Sequence, residues 1–300
     1  MKKALITDIQ RFSLNDGPGI RTTVFFKGCN MHCSWCHNPE TISHKKEIML
    51  YPEKCIGCGS CFEVCPAGAH KLRDGMHTID RKLCSLCGKC VDNCYTDAIK
   101  FSAYEAEIDD IIREILQDKV YYEQSGGGVT LSGGEVTCQK EAALEIAKRC
   151  KAEGISVAIE TNLLAPLDSL RCLLAELDLV MLDLKIMDNE EHKRHTGVSN
   201  ASVLKNISAL DGLGIPFIIR TPLIPSITDS GDNIRAISEF IAPLKNLVYY
   251  ELLNFNPLGE AKYSSLDVSN PLENVKLLEK GRLEELASIA SACGVKVKIG

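Results

Sequence analysis

Cys29, Cys33 and Cys36 stand in the run Gly28-Cys-Asn-Met-His-Cys-Ser-Trp-Cys-His-Asn38 with C-x3-C-x2-C spacing. Three thiolates gathered on one loop suit a cubane iron–sulfur cluster, whose irons ask for four ligands. A cluster closed by four cysteines can only pass electrons, whereas one with an iron left free of protein ligands can bind and activate a substrate there. The triplet therefore predicts chemistry at iron.

A second cysteine pattern is repeated within the chain. Cys55-x2-Cys58-x2-Cys61-x3-Cys65, followed by Pro66, recurs 29 positions later as Cys84-x2-Cys87-x2-Cys90-x3-Cys94. The pattern resembles the bacterial two-cluster ferredoxin, and the resemblance implies crossed ligation. Cys55, Cys58, Cys61 and Cys94 would hold one cubane, and Cys84, Cys87, Cys90 and Cys65 the second. Gly57, Gly59, Ser60, Ala67, Gly68 and Gly88 leave room for backbone N–H groups to reach the sulfurs. Paired zinc knuckles compete with this reading, but zinc ligands usually come as two separated C-x2-C pairs, and a run of four ending in Cys-Pro is poor zinc geometry. Cys138, Cys150, Cys172 and Cys293 lie in apolar, helix-like surroundings and read as small core residues.

The elements that must position these cysteines follow from periodicity. Strand-like runs at 5–13 and 22–27 precede the cysteine-rich block 51–101. An amphipathic helix over 105–118 then leads into strand 129–131, helix 139–153, strand 156–161, helix 166–177 and strand 179–184. Helix 200–213, strand 217–221, helix 231–243, strand 249–255, helix 275–293 and strand 295–299 complete the alternation. Short β-rich runs separated by helices predict a parallel sheet with right-handed crossovers. The fold class is thus α/β, a partial (β/α)6 TIM-like barrel formed by 1–50 and 102–300, with 51–101 inserted as a 2[4Fe-4S] ferredoxin-like domain. Active sites of such barrels gather at strand C-terminal ends. Polar or glycine residues stand there in every unit: the cysteine loop, Ser132-Gly133-Gly134-Glu135, Glu160-Thr161-Asn162, Asp183-Leu184-Lys185, Arg220-Thr221-Pro222 and Asn254-Phe255-Asn256.

Bulk composition agrees with a globular enzyme. The chain has 300 residues, 45% hydrophobic and 25% charged, with a net charge of −6. A nucleic-acid groove is not indicated. Lys2 and Lys3 are followed by three apolar residues and then Thr7 and Asp8, too short a core for a signal peptide. The most apolar stretch, 170–184, is broken by Glu176, Asp178 and Asp183, so no membrane span is expected. Fifteen cysteines spaced for metal ligation, without an export signal, predict a reducing, cytoplasmic and anaerobic setting.

The cysteine triplet with Trp35 before its last member resembles the radical SAM superfamily. The longer string Asp16-Gly-Pro-Gly-Ile-Arg-Thr-Thr-Val-Phe-Phe-Lys-Gly-Cys29, together with Cys36-His-Asn38, Ser-Gly-Gly-Glu135, Asp183-Leu-Lys185 and the double ferredoxin pattern, is similar to activating enzymes of glycyl radical enzymes. The likeness covers nearly the whole chain. It implies three [4Fe-4S] clusters and S-adenosylmethionine held on the open iron through its amino and carboxylate groups. On that resemblance Gly133 and Gly134 would admit the methionyl part, Glu135 would accept from its ammonium, and Lys185 and Arg220 would serve its carboxylate and ribose. Trp35 would lie against adenine. Glu160, Thr161, Asp183 and the Met181 carbonyl would hold a monovalent cation. Asp183 and Lys185 share one strand face by alternation, so they can serve one pocket. The chain departs from the family pattern twice: Phe255-Asn256 stands for a Tyr-His pair, leaving Asn256 to offer only an amide, and Val136 stands for a proline.

The activity so implied is reductive cleavage of S-adenosylmethionine to a 5′-deoxyadenosyl radical, which abstracts hydrogen from a glycine of a partner glycyl radical enzyme. Flavodoxin or ferredoxin would donate the electron, Asp16 would lie near the barrel mouth and help dock the glycine loop, and the chain would act as a monomer. A radical SAM enzyme acting on a small molecule is the alternative, and a pure electron carrier the third reading.

Overall fold

The computed structural model describes residues 3–300; Met1 and Lys2, at the start of the segment read for export, lie outside the described residues. Thirteen strands occur among them: β1 (Lys3–Ser13), β2 (Arg21–Phe26), β3 (Ile48–Leu50), β4 (His70–Arg73), β5 (Met76–Ile79), β6 (Ile99–Phe101) and β7 (Tyr104–Glu107) in the first part of the chain. The rest are β8 (Gly128–Gly133), β9 (Ser156–Thr161), β10 (Leu179–Asp183), β11 (Phe217–Leu223), β12 (Leu247–Asn254) and β13 (Val297–Ile299). Nine of them form one sheet in the order β13-β12-β11-β10-β9-β8-β2-β1-β7. From β2 to β13 every neighbour is parallel, while β1 and β7 add an antiparallel edge.

Alternation along the strands sorts the two faces. Val24, Leu131, Ile159, Leu182, Ile219 and Leu252 are fully buried on the face that carries the helices, packed with Ile111, Ile146, Ile207, Ile237 and Leu286 in one core. Each such side chain contributes about 1.5–3 kcal/mol on leaving water. On the inner face the lower layer is apolar, made by Ala158, Leu179, Met181 and Ile218 with Tyr249 against them. Above it the inward positions turn polar: Thr130 and Ser132, Glu160, Asp183, Arg220 and Glu251, one or two from each of five adjacent strands.

The cysteine-rich segment is joined to the sheet by a two-stranded neck, in which β3 pairs antiparallel with β6. It has its own apolar cluster of Ile48, Leu50, Ala69, Ile79, Cys90 and Ile99. Its internal repeat is visible as two short helices, Ser60–Val64 and Lys89–Asp92, each preceded by a glycine at positive φ, Gly59 at 80° and Gly88 at 83°. Only glycine takes that conformation without cost.

Several expected elements change. The helix expected over 105–118 begins only at Ile108, because Tyr104–Glu107 alternates with Ala106 buried and pairs with β1 as an edge strand. The helix expected over 166–177 shrinks to a 3-10 turn, Leu167–Leu170, and a single turn, Arg171–Leu174. The helix expected over 275–293 starts at Lys280, since the Asn254 side chain pins the Leu278 backbone by two hydrogen bonds of 3.0 Å. β11 runs on to Leu223, so Arg220 sits mid-strand, not at its end. Cys150 is buried as expected, but Cys172 is exposed. Helices Lys119–Ser125, Asn189–Thr196 and Glu260–Ser265 were not expected.

Candidate functional site

The loop bearing Cys29, Cys33 and Cys36 leaves the C-terminal end of β2, and its shape is set by bonds that need no metal. Gly28 N and Cys29 N donate to Thr41 O (2.7 Å) and Ile42 O (3.1 Å), closing its base. His32 N and Ser34 N donate to Thr196 O and His195 O, so the unexpected helix Asn189–Thr196 holds its middle. Its end is held by the helix Glu260–Ser265: Tyr263 Oη donates to Cys36 O at 2.8 Å, and Lys262 Nζ reaches Asn38 Oδ1 (2.6 Å) and Glu40 Oε1 (2.7 Å). Burial pushes Cys29 and Cys36 up to about 12 and raises Cys33 as well. Three half-buried thiols on a braced loop fit a metal centre, whose binding must displace their protons.

Lys185 faces this triplet. Burial alone would discharge its ammonium, but Asp183, bonded to it, and the nearby Cys33 and Cys29 hold its pKa above the ordinary lysine value. A fixed cation beside the thiols suits a negatively charged cluster.

Gly133 and Gly134 lie against the start of the same loop. A Cβ on Gly133, whose φ is +122°, would stand 2.2 Å from Phe26 O, and one on Gly134 would stand 2.5 Å from Gly28 O and 2.8 Å from Thr41 O. The glycines are thus required by backbone-to-backbone packing under the cysteine loop, a demand separate from any ligand. Glu135, 1% exposed, also differs from expectation. Its Oε1 accepts from Thr137 N, Thr137 Oγ1 and Thr161 Oγ1, and its Oε2 from Asn162 N at 2.8 Å. Four donors fill most of a carboxylate's acceptor capacity, so Glu135 ties the end of β9 to the turn after β8. Asn162 continues the tie, its Nδ2 donating to Asn30 Oδ1 within the cysteine loop at 2.7 Å.

The side-chain donors expected to share a cation each have a protein partner. Thr161 turns to Glu135, Asp183 pairs with Lys185, and Glu160 accepts from Ser132 Oγ and from Arg220. Met181 lies in the apolar lower layer, 1% exposed. Arg220 bridges two acids, reaching Glu160 and, through Nε, Glu251 Oε2 at 2.8 Å, while its Nη2 donates to Asn15 O at 3.1 Å. Burial raises the Glu160 pKa, with Arg220 opposing. Arg220 is therefore the strut of the inner polar layer, not a free ligand for a ribose.

Asp16 was expected near the mouth. It sits on the 14–20 hairpin between β1 and β2, at the N-terminal end of β2, and enters the strand-lined interior from below. Its carboxylate accepts from Thr23 Oγ1 (2.7 Å) and its carbonyl from Thr130 Oγ1 (2.6 Å). Trp35, 8% exposed, packs with Ile186 and Ile224 and tilts against His195 at 5.9 Å, leaving little ring for adenine. Asn256 is exposed and caps a 3-10 turn, accepting from Leu258 N. Glu251, Tyr263 and Lys262 belong to the site and were missed by sequence reasoning, while Asn162 was placed at its strand end without a role. Glu251 alone carried a signal, an acid at an inward position of an apolar strand.

In the cysteine-rich segment Cys55, Cys58, Cys61 and Cys94 line one cavity of about 300 Å³. Cys65, Cys84, Cys87 and Cys90 line a second, tight recess. The structure so brings each run's last cysteine to the other run's first three. Ala69 N donates to Cys65 Sγ at 3.3 Å, the kind of N–H···S contact a cluster thiolate uses.

Comparison with known proteins gives the family. Residues 89–237 match the model of the radical SAM superfamily, 54–99 that of a 4Fe-4S dicluster domain, and 15–60, which include the triplet, that of a 4Fe-4S single cluster domain. The chain is 36% identical to the (2S)-3-sulfopropanediol dehydratase activating enzyme of Klebsiella oxytoca, covering 99% of this chain and 96% of that one. It is 38% identical to the benzylsuccinate synthase activating enzyme of Thauera aromatica, covering 100% and 93%. It belongs to the glycyl radical enzyme activating enzymes of the radical SAM superfamily. A domain of the pyruvate-formate lyase-activating enzyme of Bacteroides vulgatus superposes on this activating enzyme with a TM-score of 0.50 and 29% identity, covering 58% of this chain and 99% of that domain. Among the described residues no helix of the activating enzyme is long and apolar enough to cross a membrane.

Proposed function

We propose that this activating enzyme works as a partial (β/α)6 barrel, 1–50 and 102–300, with 51–101 as an inserted ferredoxin-like domain. Three [4Fe-4S] clusters complete it: one on Cys29, Cys33 and Cys36, and two in the insert with crossed ligation. When bound, the open-iron cluster supplies the electron that cleaves S-adenosylmethionine to methionine and a 5′-deoxyadenosyl radical, and that radical takes a hydrogen atom from a glycine of the partner enzyme. The chain's own residues hold the parts in place. The Cys29–Cys36 loop is braced by Tyr263 and Lys262, Lys185 sets a positive charge beside the thiols, and Arg220 with Glu160 and Glu251 keeps the inner face rigid beneath. Asp16, held against Thr23, meets the incoming glycine loop from the inner wall. A monovalent cation at Glu160, Thr161, Asp183 and the Met181 carbonyl enters this reading only by competing with Arg220 and Lys185 for the two carboxylates.

The single observation that carries the reading is the braced triplet of half-buried thiols, with Lys185 as the cation beside them and no fourth cysteine on the loop. Flavodoxin or ferredoxin is the electron donor, the insert clusters relay the electron, and the enzyme acts in the cytoplasm as a monomer. Its partner is a glycyl radical enzyme. The test mixes the anaerobic enzyme with candidate glycyl radical enzymes from the same source and records EPR. The doublet of a glycine-centred radical is expected both with a chemical reductant and with flavodoxin. Replacement of Cys55 or Cys84 by alanine should keep it with a chemical reductant and lose it with flavodoxin. Absence of the doublet under every condition overturns the reading.

A further inference from the structure

Two histidines in the insert take no part in ligation as read above, yet they stand between its two cysteine sets. His70 and His77 sit on the β4–β5 hairpin, where His70 pairs with Ile79 and Leu72 with His77, so the two rings are diagonal neighbours on one face. His77 lines the cavity of Cys55, Cys58, Cys61 and Cys94, and His70 lines the recess of Cys65, Cys84, Cys87 and Cys90. His70 Nδ1 and His77 Nε2 are 2.8 Å apart. The other side of His77 faces sulfur, with Nδ1 at 3.9 Å from Cys55 Sγ. Phe62 flanks both rings, its centroid 5.0 Å from His77 and 5.7 Å from His70, and His70 is buried.

The donor and acceptor roles in this row are fixed by the sulfur. A cysteine bound to iron is a thiolate and can only accept. His77 can serve Cys55 only with its proton on Nδ1, and its Nε2 must then accept from His70 Nδ1–H. Every dipole in the row points the same way, from His70 through His77 to the Cys55 sulfur. His77 Nε2 also lies 3.8 Å from Cys61 Sγ, but the 2.8 Å contact with His70 is much the shorter and takes precedence. N–H groups aimed at a cluster sulfur stabilise the more negative, reduced state and raise the potential.

We propose that His70 and His77 are positioning residues forming a directed hydrogen-bond bridge between the two insert clusters, which raises the reduction potential of the cluster on Cys55, Cys58, Cys61 and Cys94 above the value it would have without the bridge. The bridge rests on the reading of these cysteines as cluster ligands. It divides two nearly repeated halves that the sequence alone would make equivalent, since the second repeat has no hairpin carrying histidines.

The experiment is an EPR-monitored redox titration of the anaerobic, iron-loaded enzyme. His77→Phe, which keeps the ring packing on Phe62, should shift one insert midpoint downward and leave the other in place. His70→Phe should shift the same midpoint in the same direction by less, because it acts through His77. His77→Asn, which keeps a short N–H donor, should recover part of the wild-type value. Unchanged midpoints in both phenylalanine variants at full iron content overturn the bridge, as do shifts that fall on different clusters. Wild-type enzyme with no iron in the insert would fail at the cysteine reading itself, and the bridge would fall with it.

Discussion

Replacing Arg220 by methionine separates a structural role from a ligand-binding one. Its guanidinium lies between Glu160 and Glu251, with side-chain exposures of 8%, 25% and 4% in that order. Removing one partner of a buried ion pair costs about 3–5 kcal/mol, because the partner charge is left desolvated and unpaired. Two compensations pull toward the lower end: Lys298 stays 3.1 Å from Glu251, though 58% exposed, and Ser132 still donates to Glu160. A loss of about 3 kcal/mol is expected, read as a lower urea midpoint at equal iron content. The pH dependence fixes the mechanism. Burial already raises Glu160 above 4.5 and Arg220 opposes it, so without Arg220 the folded state binds that proton more tightly than the unfolded chain does. Protons then favour folding, and the variant should lose stability as pH rises above 4.5, with the deficit shrinking toward acid. The double variant with Glu160→Gln should regain part of the loss. An unchanged urea midpoint with a large fall in S-adenosylmethionine affinity would refute this reasoning and return Arg220 to the ligand.

Gly134→Ala puts a methyl 2.5 Å from the Gly28 carbonyl, a backbone atom that cannot step aside, so the cost should reach about 3 kcal/mol and the triplet should lose iron before the insert does. Mössbauer iron counts by site would check this. Cys94→Ala should abolish the same EPR signal as Cys55→Ala, and Cys65→Ala the same signal as Cys84→Ala; loss grouped by sequence run instead would undo the crossed ligation. Tyr263→Phe leaves the Cys36 carbonyl without its donor, a loss of about 1 kcal/mol, and should hasten iron release from the triplet alone.

The sheet was legible because its strands alternate: inward Glu160, Asp183 and Arg220 break apolar runs whose other face is wholly buried. The cysteine sets were legible because ligand spacing is a covalent constraint. What sequence spacing could not show was direction. Glu135, Trp35 and Asn256 stand at the right strand ends, yet one is satisfied by the Thr137 and Thr161 hydroxyls and two backbone N–H groups, one is packed into apolar side chains, and one caps a turn. Those choices are made by tertiary partners such as Asn162 and Ile224, far off in the chain. The short helices at Asn189–Thr196 and Glu260–Ser265 were missed for a similar reason. They are too brief and polar to show a period, and they form because Asp188 caps one and the cysteine loop anchors the other.

The most direct test of the account is Mössbauer spectroscopy of the anaerobic, ⁵⁷Fe-loaded enzyme with and without S-adenosylmethionine. One iron of a single cluster should change its environment on addition, and Cys33→Ala should remove that response while both insert clusters remain. Spectra in which every iron keeps sulfur-only ligation, with and without S-adenosylmethionine, would contradict it.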